Sequence, residues 1–147
     1  LMEIIDEVSK VLTNQSLWIR ISATDWAEGG WTCFESVKLA QLLKDKNVEV
    51  IDVSTGGAVS HQQIPSHENY QVPFANRIKN ETHMITGAVG LIKNAQQAEA
   101  ILQNKEADFV LIARGFMQNP HLVYEFAKEL NIAIDWAPQY ERGKESF

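Results

Sequence analysis

Two glycines and an arginine carry the most chemistry in this chain. Residues 82–92, THMITGAVGLI, break an apolar run at Gly87-Ala88-Val89-Gly90 and then resume with helical spacing. Glycines let a backbone turn sharply and let a ligand approach its amides. A helix starting there adds a positive dipole end, so the corner suits an anion. A tight strand-to-helix turn needing positive φ explains a lone G-x-x-G as well. Arg114, in LIARGF, lies where the next apolar run ends. A guanidinium beside the glycine corner supplies charge-assisted bonds to phosphate, and the pairing favours phosphate as the anion.

Arg20 lies inside the run LWIRIS (17–22) rather than after it. Side-chain alternation puts it on one strand face with Trp18 and Ser22. A guanidinium among apolar neighbours must find an anionic or carbonyl partner. Two partners fit equally: a ligand over the face, or an internal acid such as Asp52. Asp25 and Asp52 read as structural, a loop cap and a strand-end acceptor. His61 and His67 share a loop without a supporting carboxylate or cysteine pattern, and His83 and His121 are isolated, so no metal site is expected. Cys33, the single cysteine, opens a helix and reads as buried rather than nucleophilic. No Ser-His-Asp set stands out.

These corners need elements to position them. The opening LMEIIDEVSKVL is periodic, with Ile4, Ile5, Val8, Val11 and Leu12 on one helical face, and no capping residue precedes it. That pattern suggests a chain cut from something longer. Strands are expected at 17–22, 48–54, 83–89 and 108–113. Thr32 and Glu35 form a capping box for a helix through about Asp45. Pro73 opens a helix through Ile78, Asn94 with Gln97 caps another, and Asn119-Pro120 opens a last one carrying Leu122, Val123, Phe126 and Leu130. Apolar runs such as FVLIA suit strands covered on both faces. Strict strand–helix alternation means parallel strands with crossover helices. The repeat of roughly 30 residues fits four units of a (β/α)8 barrel, and a small doubly wound sheet fits the pattern too.

The totals bound the function. The length of 147 residues is one domain, read as 1–147 with a polar tail over 135–147. A net charge of -6 argues against a nucleic-acid or membrane-surface binder, so any anion site must be local. One cysteine suits a reducing cytoplasm, and no apolar run approaches the roughly 18 residues of a membrane span.

Taken together, RISATDW, VEVIDVSTGG, ITGAVGLI, ADFVLIAR and the tail APQYERG resemble the carboxyl-terminal half of Old Yellow Enzyme flavoproteins. The likeness is greatest to their bacterial NADPH dehydrogenase branch, the thermophilic-like ene-reductases. The resemblance implies an α/β chain forming strands five to eight of a TIM barrel, and a parent enzyme using FMN with NADPH or NADH. That parent reduces activated alkenes such as enones by hydride transfer through flavin N5. It also implies roles by position. Arg20 matches the arginine at the flavin N1/O2 edge, where a fixed cation favours the reduced ring. Val89 and Gly90 match the corner whose amides meet the FMN phosphate, and Ala113 and Arg114 match the Gly-Arg pair closing over it, with alanine in place of the usual glycine. Arg142, in QYERG, matches a tail arginine that reaches a neighbouring subunit's site in a homo-oligomer. Lys144 stands where the branch ends in tryptophan. The family's substrate-orienting histidine pair, its flavin-edge Cys or Thr, its Tyr donor and a flavin-contacting Gln come from the other half and match nothing here. No catalytic residue is therefore expected in this chain, which alone is inactive. Two alternatives stand beside the enzyme reading: a non-catalytic half barrel that self-associates to close a barrel, and a phosphate-sugar barrel enzyme of another kind, which leaves QYERG and Arg20 unexplained.

Overall fold

The computed structural model describes residues 1–146; the tail expected over 135–147 thus extends at Phe147 beyond the described residues. Four strands alternate with helices. They are β1 (Trp18–Ser22), β2 (Val50–Ser54), β3 (Ile85–Val89) and β4 (Phe109–Leu111). The helices are α1 (Met2–Ser9), α2 (Cys33–Lys44), α3 (Val72–Thr82), α4 (Ala95–Gln103), α5 (Arg114–Gln118) and α6 (Leu122–Glu129), with a 3-10 helix at Pro138–Ser146.

All pairings are parallel, and the strand order is β1-β2-β3-β4. A doubly wound sheet reverses direction at a switch point. This sheet never reverses, so the chain is four βα units of a singly wound (β/α)8 barrel. The register gives each face its own character. Ile21, Ile51, Val53, Thr86 and Ala88 point one way and are buried. They pack with Val37, Ala40 and Leu43 of α2, Ala75 and Ile78 of α3, and Ala98 and Ile101 of α4. The other face pairs Arg20 with Asp52, Asp52 with Gly87, and Gly87 with Phe109. Among the described residues it is the more open face, with Trp18 53% and Ile85 48% exposed.

Local signals worked where the cap chemistry is self-contained. Thr32 accepts from the Glu35 amide while the Glu35 carboxylate accepts from the Thr32 amide at 2.8 Å, a complete capping box. Asn94 accepts from the Gln97 amide at 2.8 Å and starts α4. Three expectations need correction. The opening helix ends at Ser9, and of its apolar face only Ile5 is buried, because Val11 lies past the helix end and Ile4 faces solvent. Residues 108–113 give only a three-residue strand whose side chains are partly exposed, so FVLIA is not covered on both faces. The last helix, expected to open at Asn119-Pro120, starts at Leu122, and the short helix α5 precedes it.

Candidate functional site

The carboxyl ends of the strands open onto a cavity of about 640 Å³. Its walls include all five residues expected to hold a cofactor: Arg20, Val89, Gly90, Ala113 and Arg114. Arg20 lies in β1, Val89 and Gly90 at and just past the end of β3, and Ala113 and Arg114 past the end of β4. The parallel order turns those separate strand ends into one rim.

Gly90 makes the sharpest turn on that rim. Its φ is +117°, a region side chains rarely enter, and a Cβ there would lie 2.6 Å from Gln71 Nε2 and 3.0 Å from Tyr70 Cε1. Leu91 follows at φ +55°. The β3–β4 register ends at the Val89↔Leu111 pair, and Gly90 and Leu91 just beyond it line the cavity. Gln97 braces the turn from the helix side: its side chain donates to Leu91 O and accepts from the Lys93 amide, both at 2.8 Å. Gln71 braces it from below. This buried residue, 3% exposed, donates through its side chain to Val89 O at 3.0 Å and accepts from Thr55 Oγ1 at 2.7 Å.

Gly87 has a different role from the one its motif suggested. It lies inside β3, not at the turn, and a Cβ would meet Phe109 Cε2 at 2.4 Å and Leu111 Cδ1 at 2.7 Å. Its missing side chain lets Phe109 lie across the open face, where Trp18 reaches it from β1 with ring centroids 5.1 Å apart.

Arg114 is the first residue of α5 and is exposed at the cavity rim. Ala113 before it has φ -92°, so alanine fits where the resemblance leads one to expect glycine. Arg20 donates through Nη1 to Asp52 Oδ2 at 2.9 Å and also lines the cavity. The two partners open for it from the sequence are therefore compatible. Asp52 Oδ1 is buried and has no partner among the described residues. Burial pushes the Asp52 carboxyl above its usual range, against the pull of the Arg20 charge. A raised folded pKa means the native state holds its proton longer than the unfolded chain. Asp52 therefore contributes most below about pH 4, and that contribution is lost as pH rises towards the folded value. Asp52→Asn removes this titration, so the parent-minus-variant difference in urea midpoint is expected to fall as pH rises from about 4. A difference flat with pH would remove the assignment.

Asp25 acts as the loop cap expected of it, accepting from the Trp31 amide at 2.8 Å. Cys33 is half-buried, and desolvation raises its thiol pKa against the lowering effect of Arg77, as suits an inert thiol. Arg142 lies exposed in the terminal 3-10 helix, away from the walls of the large cavity. Among the described residues no three His, Cys, Asp or Glu side chains group to hold a metal ion, and no helix is long and apolar enough to cross a membrane. Sequence reasoning missed Gln71 and Lys93, both on the cavity wall. The Asn94–Gln97 cap was a partial signal for Lys93, since Gln97 fixes its amide.

A singly wound parallel half-barrel with a cationic rim at its strand ends is the class these features define. The model of the NADH:flavin oxidoreductase / NADH oxidase family matches residues 1–132, and the chain belongs to that family. It is similar to an NADPH dehydrogenase of Geobacillus sp., 46% identical over 96% of this chain and 41% of that protein. An NADPH dehydrogenase of Bacillus subtilis is 41% identical over 97% of this chain and 42% of its own length. One from Halalkalibacterium halodurans is 43% identical over 97% and 41% respectively. The chain thus spans about two-fifths of the length of these relatives, as expected for part of an Old Yellow Enzyme barrel.

Proposed function

We propose that this chain supplies the FMN phosphate anchor and one flavin-edge cation of an NAD(P)H-dependent oxidoreductase that reduces activated alkenes of the enone type. The observation that carries the reading is the convergence of Gly90, Arg114 and Arg20 on one cavity. The chemistry of these residues fits the group. A phosphate monoester needs backbone amides and a fork of donors, which the Gly90 turn and Arg114 offer. An isoalloxazine edge that gains negative charge on reduction needs a fixed cation, and Asp52 holds Arg20 on the open face. When bound, FMN supplies the two-electron chemistry linking a nicotinamide to the alkene. This chain's part is to bind and orient it: Val89 and Ala113 close the rim beside Gly90 and Arg114, while Arg142 is offered to a neighbouring subunit of a homo-oligomer. A cytoplasmic setting fits a chain with one free thiol.

Mixed with the complementary portion of the Bacillus subtilis relative, the chain is expected to retain FMN through gel filtration and to oxidise NADPH when an enone is added. No flavin retention in any pairing would overturn the reading. A second reading has one observation in its favour. The uncovered face with Trp18 and Ile85, and the sheet edges at β1 and β4, are surfaces a second copy can close. Sedimentation of the chain alone separates the two, because a strictly monomeric folded species removes self-closure.

A further inference from the structure

We propose that Lys93 is a second cationic anchor for the phosphate monoester at the Gly90 turn, held beside the site by Glu68 until the anion takes its place. The proposal rests on the phosphate reading above.

The first support is that Lys93 sits in an unfavourable place. It immediately precedes Asn94, the N-cap of the nine-residue helix α4. The positive end of a helix dipole repels a cation there, and acidic residues usually occupy the first turn. The first turn of α4 has none. Arg114 opens α5, whose first turn also has no acid. Two cations at helix starts therefore face the same cavity, in a chain whose net charge is -6. Each violates a local rule. A single dianion between them would satisfy both, and such violations concentrate where function requires them.

The second support is the way Lys93 is held. Its amide is fixed by Gln97 Oε1 at 2.8 Å, so the side chain starts from a set position beside the turn. Its ammonium is 3.3 Å from a Glu68 carboxylate oxygen, and both side chains are more than half exposed. A pair that long and that wet adds little to stability, so exchanging it for another anion costs little. A phosphate monoester carries about -1.5 to -2 charges at pH 7. Arg114 alone balances one of them, and Lys93 the other. Glu68 lies in the same loop as Tyr70 and Gln71, which crowd Gly90. Release of Glu68 would thus report anion binding to the loop that shapes the turn.

Fluorescence-quenching titrations of this chain paired with the complementary portion of the Bacillus subtilis relative, using FMN and riboflavin, which lacks the phosphate, test the assignment. Lys93→Gln is expected to weaken FMN binding about tenfold and leave riboflavin unchanged, as loss of one charge-assisted contact would. Glu68→Gln frees Lys93 from its competitor and is expected to tighten FMN about twofold, again without touching riboflavin. If the parent chain shows no preference for FMN over riboflavin, the phosphate reading fails and this proposal with it. If the parent chain prefers FMN and Lys93→Gln keeps the whole preference, the Lys93 assignment alone is overturned.

Discussion

Arg114→Ala is expected to weaken FMN binding by roughly 30-fold, about 2 kcal/mol, the usual worth of hydrogen bonds to a charged group. Riboflavin binding should stay within about twofold, because the guanidinium is assigned to the phosphate and not to the ring. Stability should barely change, since Arg114 is exposed at the start of a five-residue helix and surface substitutions usually shift stability by under about 0.5 kcal/mol. Arg114→Lys should recover only part of the loss, because an ammonium keeps the charge but not the planar fork. Equal weakening of FMN and riboflavin would move Arg114 off the phosphate. Flavin titrations with the six protein–ligand combinations decide it.

Gly90→Ala should damage both the fold and the site. At φ +117° an added Cβ is strained whatever the space, which costs about 1–3 kcal/mol. That Cβ would also displace Gln71, breaking its bond to Val89 O and leaving a buried amide unpaired, a further penalty of about 1–3 kcal/mol. A total near 3 kcal/mol lowers the thermal midpoint by roughly 10 °C for a chain of this size. Gly57→Ala is the matched control. Its φ is +88°, but a Cβ there meets nothing within 4 Å, so only the backbone strain applies. Thermal unfolding of the two variants separates strain from crowding. Equal midpoints would mean that Gln71 gives way freely and that the turn does not depend on it.

The tight hold on Gly90 has a consequence for binding. Its neighbours are fixed by two buried or half-buried glutamines, Gln71 and Gln97, rather than by apolar packing alone. Gln71 and Gln97 donate to the carbonyls of Val89 and Leu91. A site held on such bonds is preorganised, which favours affinity because less ordering remains to be done on binding.

How far the sequence reached depended on the range of the interactions concerned. The capping box at Thr32 and Glu35 and the cap at Asn94 were legible because each bond joins residues three apart, and no tertiary partner is needed to close them. The strand–helix alternation was legible for the same reason, and with it the corners at Gly90 and Arg114. The short helix α5 was not, because five residues without a side-chain cap carry too little periodicity to stand out. Gly87 fell inside the expected strand 83–89, but the reason a glycine is needed there was not legible. Its requirement comes from Phe109 and Leu111 on the adjacent strand, and no residue near it in sequence reports that contact.

The sequence by itself determined that this chain alternates parallel strands and helices, and it marked the strand-end residues proposed to hold an anion. Tertiary structure decided the rest. The order β1-β2-β3-β4 excluded the doubly wound alternative, and register set Arg20 against Asp52 without removing it from the cavity. The same order put Gln71, Lys93 and Arg114 on the walls of one cavity with Gly90. Helix caps and hydrophobic periods are short-range and are written residue by residue. A binding rim in a parallel sheet is made from the ends of different strands, and only the lateral pairing of those strands places them side by side.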